Sequence, residues 1–155
     1  MGRVDDRLVE LGITLPEVAA PVASYVPAVR SGDHVWTSGQ LPFVGGELPG
    51  RGKVGAEVSP DNAREYARRA ALNALAAVKA EIGDLDDVKR IVKVVGFVAS
   101  APDFTGQPAV INGASEVLGE IFGERGVHAR SAVGVAVLPL DAPVEVELVV
   151  ELAQS

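Results

Sequence analysis

Residues 129 to 152, ARSAVGVAVLPLDAPVEVELVVEL, constrain the fold more than any other stretch of this chain. Side chains of a β-strand alternate between its two faces. Over 143–152, Val144, Val146, Leu148, Val150 and Leu152 share one face, and Glu145, Glu147, Val149 and Glu151 share the other. Over 130–138, Ser131, Val133, Val135 and Val137 alternate with Arg130, Ala132, Gly134 and Ala136. The valine face of each strand is read as the one that meets helices. The second face then combines small residues with isolated charges. A sheet face open to water would carry longer polar side chains, so this one is expected to meet other subunits. Charged groups enclosed there must be paired or used. Arg130 has three readings on this pattern: an ion pair with a strand glutamate, a solvated strand end, or a group that meets a ligand.

The remainder of the chain supplies helices for one side of that sheet. VDDRLVELG gives a short helix that ends at Gly12. Ser59 is an N-cap, with Pro60 at the first helical position and Asp61 in the first turn, where the helix dipole favours it. Ala71, Leu75, Val78 and Ile82 then recur at helical spacing, and Gly83 closes the element. Arg64, Arg68, Arg69 and Lys79 are read as a solvated face. A second helix spans Pro108 to Phe122, with Val110, Ala114, Val117 and Ile121 on one side. Between the helices, Val92, Val94, Val95, Phe97 and Val98 make a buried strand from about Val88 to Ala99. Upstream, a short strand interrupted by Pro27 and a second over HVWTSGQL are expected, joined by the turn RSGD. GQLPFVGGELPGRGKVG is read as a surface loop or hairpin. The order β-β-(β)-α-β-α-β-β lets both long helices cover one face of one sheet, an α+β arrangement in a single domain.

Composition narrows the function classes. The net charge of −7 works against general nucleic-acid binding. The chain has no cysteine, which excludes disulfides, thiolate nucleophiles and cysteine-based zinc sites. The two histidines, His34 and His128, belong to no metal-ligand motif, and no metal or cofactor is expected. No segment has the length of a membrane span or the apolar run of a signal peptide, so a cytoplasmic protein is expected.

ARSAVGVAVLP followed by VEVE resembles the C-terminal signature of the Rid family, the reactive intermediate deaminases, also called the YjgF family. YVPAV and TSGQLP resemble that family's other two signatures, in the same order, and INGASEVLGEIFG resembles its second helix. The likeness runs from about Tyr25 to Glu147, and the longer N-terminus, residues 1–20, resembles a less characterised branch. The resemblance implies a chorismate-mutase-like fold and a homotrimer: three sheets line an inner barrel, helices lie outside, and ligand clefts sit between subunits. It also implies that the final strand inserts centrally in the sheet.

The reaction so implied is cofactor-free hydrolysis of enamines and imines such as 2-aminoacrylate, giving a 2-keto acid and ammonium. The family's carboxylate-clamping arginine falls on Arg130 and its water-positioning glutamate on Glu145. Tyr25, Asn112, Ser38 and Gly39 match its cleft-lining positions. The cysteine often found two residues after the arginine is Ala132 here, whose backbone N–H remains able to donate to a carboxylate. His128 is read either as an extra acid or base, or as a cap on the preceding loop, the latter preferred. A non-catalytic trimer that captures small carboxylates is the alternative. Ribonuclease activity, sometimes attributed to relatives, is disfavoured by the acidic charge and the absence of a paired histidine site.

Overall fold

The computed structural model describes residues 2–18, 20–21 and 23–154. In chain order its elements are α1 (Arg3–Glu10), β1 (Ala28–Ser31), β2 (His34–Thr37), α2 (Pro60–Ile82), β3 (Val88–Ala99), α3 (Gln107–Phe122), β4 (Ala129–Val135) and β5 (Val144–Leu152). The five strands form one mixed sheet in the order β1-β2-β5-β3-β4. The last strand is inserted between β2 and β3, antiparallel to both, while β3 and β4 run parallel. The 136–143 connection, which contains Pro139 and Pro143, carries the chain away from the neighbourhood that a tight hairpin would have imposed.

The helices form as their ends dictate. Ser59 Oγ accepts from the backbone N–H of Asn62, Pro60 occupies the first turn, and Gly83 follows with φ of 89°. Gln107 precedes Pro108 at the start of α3. Both helices lie on one face of the sheet. Ala67, Ala71, Leu75 and Val78 of α2 and Val110, Ile111, Ala114 and Leu118 of α3 bury against Val94, Val98, Val146, Leu148 and Val150. Gly113 sets the distance between the helices: a Cβ there would overlap the Arg64 backbone carbonyl. Across that seam Arg64 pairs with Glu116, and Arg68 with Glu120 at 3.2 Å. Arg69 Nε donates to the Phe43 carbonyl and Lys79 reaches Asp5. These four cations were expected as a solvated face; their stems are partly covered and they tie α2 to its neighbours.

α1 is docked rather than appended. Val4 and Leu8 are buried, and the Asp86 carboxylate accepts from the backbone N–H groups of Arg3 and Val4, each at 2.8 Å. Those two bonds, with Arg3 and Arg125 nearby, hold the Asp86 carboxyl below the usual carboxylate range against the opposing effect of burial.

Three expectations change. The upstream strands are shorter: β2 stops at Thr37, and Gln40 rejoins the sheet through an isolated bridge to Val146. Among the described residues no third upstream strand forms; 43–58 is a loop with a tight turn at Gly45 and Gly46. The faces of β4 are the reverse of those expected. Arg130, Ala132 and Gly134 point toward α3, while Val133 and Val137 are exposed. The reason is proximity. α3 lies so close to β4 that a Cβ on Gly134 would meet the Gln107 amide, and one on neighbouring Gly96 would overlap Ile111. Small residues therefore face the helix, and the valines take the open side. The faces of β5 are as expected, with Glu145, Glu147, Val149 and Glu151 on the open side.

Candidate functional site

Arg130 is the second residue of β4 and reaches across to α3. Its Nη1 donates to Asn112 Oδ1 at 2.8 Å and to Ser115 Oγ at 3.2 Å, and its Nη2 donates to the Pro108 carbonyl at 3.3 Å. Asn112 and Ser115 are three residues apart on α3, so both present to the same neighbour. All three acceptors are neutral. Among the described residues no carboxylate pairs with Arg130 and nothing accepts from its Nε, so on the Nε–Nη2 edge the one bond is from Nη2 to the Pro108 carbonyl. The expected alternative of an ion pair with a β5 glutamate is not formed, because those glutamates lie on the other face of the sheet. Ala132 follows on the helix side of β4 and packs partly against the main core.

His128 stands two residues before Arg130. Its Nδ1 lies 2.6 Å from the Gly126 carbonyl and its Nε2 lies 2.9 Å from Ser115 Oγ. The loop-capping reading is thus met by one nitrogen, and the other joins the arginine's own partner.

Glu145 belongs to a separate cluster. It sits on the open face of β5 opposite Phe97 of β3. Tyr25, Pro27, Gly39, Leu41, Phe43, Pro139 and Glu145 line a small pocket there. The pocket borders a second apolar cluster of Leu41, Ala99, Leu138 and Ala142, with Phe97 and Val135 packed on it. Gly39 lies against Glu145: a Cβ there would meet the Glu145 carboxylate and displace that side chain. Ser38 anchors the approach. Its N–H donates to the Pro27 carbonyl at 2.8 Å and its hydroxyl to the Val26 carbonyl at 2.6 Å, which ties the segment carrying Tyr25 to the end of β2. Burial raises the Glu145 carboxyl above the usual glutamate range, and the charge of Glu147 adds to the shift. Burial also raises Glu147.

The sequence-selected residues therefore fall into two groups. Arg130 and Asn112 meet on the helix side, with Ala132 beside them; Tyr25, Gly39 and Glu145 meet on the open side, with Ser38 as support. One chain does not bring Arg130 and Glu145 together. Sequence reasoning passed over Ser115, whose signal is its i+3 spacing from Asn112, and Pro139, which only the fold brings to the pocket wall.

The family model described as "YjgF/chorismate_mutase-like, putative endoribonuclease" matches residues 5–152. Protein TCP17 of Trypanosoma cruzi is 49% identical over 154 residues, covering 97% of this chain and 95% of that protein. The 2-iminobutanoate/2-iminopropanoate deaminase of Dermatophagoides farinae is 34% identical over 138 residues, covering 89% and 93%. Among solved structures, Escherichia coli TdcF with bound serine superposes with a TM-score of 0.62 at 30% identity, covering 90% of this chain and 96% of that one. The strand order with a central final strand, two helices on one face, and a match that spans almost the whole chain lead to one conclusion: this chain belongs to the YjgF, or Rid, family.

Proposed function

We propose that this protein is a cofactor-free hydrolytic deaminase of 2-aminoacrylate-type enamines and imines, producing a 2-keto acid and ammonium, and that it works as a homotrimer with clefts between subunits. The observation that carries the reading is the division of the site. Arg130, held by neutral acceptors and with nothing accepting from its Nε, lies on one side of the sheet, and Glu145 faces a pocket on the other. A second copy, packed against the open face, is the simplest way for the arginine of one subunit to meet the glutamate of its neighbour. The exposed valines and Trp36 on that side supply apolar surface for such packing. The deaminase name of a relative at 34% identity, and the serine held by TdcF, support a small amino-acid-derived ligand.

In this reading the Nε–Nη2 edge of Arg130 grips the substrate carboxylate with two parallel charge-assisted bonds, fixing position and rotation together. The backbone N–H of Ala132 and the side chains of Asn112 and Tyr25 complete the cleft, with Ser38 and Gly39 shaping its floor. Glu145 takes a proton from water as the oxygen attacks the imine carbon. The C–O bond forms, and the C=N electron pair moves to nitrogen, which gains a proton. The resulting carbinolamine passes its hydroxyl proton by way of Glu145 to nitrogen as the C–N bond breaks, leaving keto acid and ammonia. A carboxyl raised by burial is suited to accept that proton and return it to nitrogen.

The test mixes two inactive variants. Arg130→Ala and Glu145→Gln are each expected to lose ammonia release from freshly generated imines. Unfolded and reassembled together, they should regain activity at about one site in four, because random trimers pair an intact arginine with an intact neighbouring glutamate. No recovery, with trimers shown by mass, overturns the shared site; a monomeric wild-type protein overturns the reading altogether.

A further inference from the structure

We propose that Ser115 and His128 form a positioning pair that leaves Arg130 a single edge for a carboxylate; the proposal rests on the reading of Arg130 given above. A carbonyl oxygen only accepts, so the 2.6 Å contact between His128 Nδ1 and Gly126 O places a proton on Nδ1. In the neutral ring Nε2 is then an acceptor, and the Ser115 hydroxyl donates to it across 2.9 Å. The hydroxyl has one proton. Once that proton is committed to His128, only lone pairs of Ser115 Oγ face Arg130 Nη1. A helical serine otherwise turns its hydroxyl back onto the carbonyl of the preceding turn. His128 draws it across to the β4 side instead, and so connects the helix to the arginine's own strand.

The consequence is geometric. Nη1 has two protons, and Asn112 and Ser115 take one each, while Pro108 takes one from Nη2. Remove Ser115 and a second anion-seeking position opens at the far end of the guanidinium. The carboxylate then has two competing poses, one of which aims the imine carbon away from the attacking water. Ser115 and His128 touch neither substrate nor reacting atoms in this scheme; they act through Arg130.

The test reads the arginine first and the ligand second, on the full-length protein at pH ~8, where histidine is ordinarily neutral. Nitrogen NMR of the ligand-free protein should show His128 in the Nδ1–H form. Rotation of the Arg130 guanidinium should quicken in Ser115→Ala and in His128→Phe and return to the wild-type rate in Ser115→Thr. Calorimetry with 2-ketobutyrate should show about tenfold weaker binding in the first two variants and binding within about twofold in Ser115→Thr, with KM rising more than kcat falls where turnover is measured. Wild-type arginine dynamics in both Ser115→Ala and His128→Phe, or the Nε2–H form of His128, would overturn the pairing. A wild-type protein that binds no 2-keto acid would sink the deaminase reading instead, and the arginine dynamics would still decide the pair.

Discussion

The arginine side and the glutamate side of the sheet are built on opposite plans. Around Arg130 each contact is a hydrogen bond to a neutral acceptor from α3, and the guanidinium is held before any ligand arrives. Around Glu145 the walls are proline, leucine and phenylalanine, a glycine is pressed against the carboxylate, and the nearest charge is another glutamate. Among the described residues Glu145 joins no ion pair. The lesson is that charge is treated according to task. Under the proposed function, the cation that grips the substrate is oriented by hydrogen bonds, and the carboxylate that exchanges a proton is desolvated and faces a like charge.

That contrast can be attacked at several points. The largest effect is expected at Glu145→Gln. Its turnover should fall roughly 10²- to 10⁴-fold, while calorimetric binding of 2-ketobutyrate stays within a few-fold. Equal loss of binding would mean that the two sides do not divide the labour. Arg130→Lys keeps the charge but not the fork, and should weaken 2-ketobutyrate binding by about ten- to a hundredfold; unchanged affinity would show that orientation by the guanidinium is irrelevant.

The pH profile sharpens the other half. A general base works unprotonated, and Glu145 is raised by burial and then by Glu147. Deaminase kcat/KM should therefore fall as pH is lowered through a value above the ordinary glutamate pKa of about 4.3. In Glu147→Gln that limb should move to lower pH, since one cause of the shift is gone. The same shifts carry a stability sign. A carboxyl that binds its proton more tightly when folded favours the folded state at low pH, and this contribution is lost as pH rises through the raised value. The smallest effect on the site, though not on the fold, belongs to Gly113→Ala. A methyl group forced against the Arg64 carbonyl should cost about 1–3 kcal/mol in chemical denaturation, with 2-ketobutyrate affinity preserved in the folded fraction.

Much of this was legible in the chain. Ser59, Pro60 and Gly83 mark the ends of α2, and the alternation of β5 gives its buried face correctly. The signatures around Arg130 and Glu145 lead to the family. The faces of β4 were not legible, because alternation says that two faces differ and not which neighbour each meets. Valine is the better core residue in general, but the close approach of α3 at Gly134 and Gly96 leaves no room for it. The tethered cations of α2 were hidden for a related reason: their partners Glu116, Glu120 and Phe43 are far away in sequence.

Local chemistry, then, was settled by the amino-acid order: helix ends, strand periodicity, and an arginine and a glutamate in strands near the C-terminus. Only the tertiary structure decided that these two lie on opposite sides of one sheet, and that Ser115 and His128 stand behind the arginine. The physical reason is that caps and periods depend on residues a few positions apart. The side of a sheet to which a residue is turned depends on how closely a distant helix can settle there.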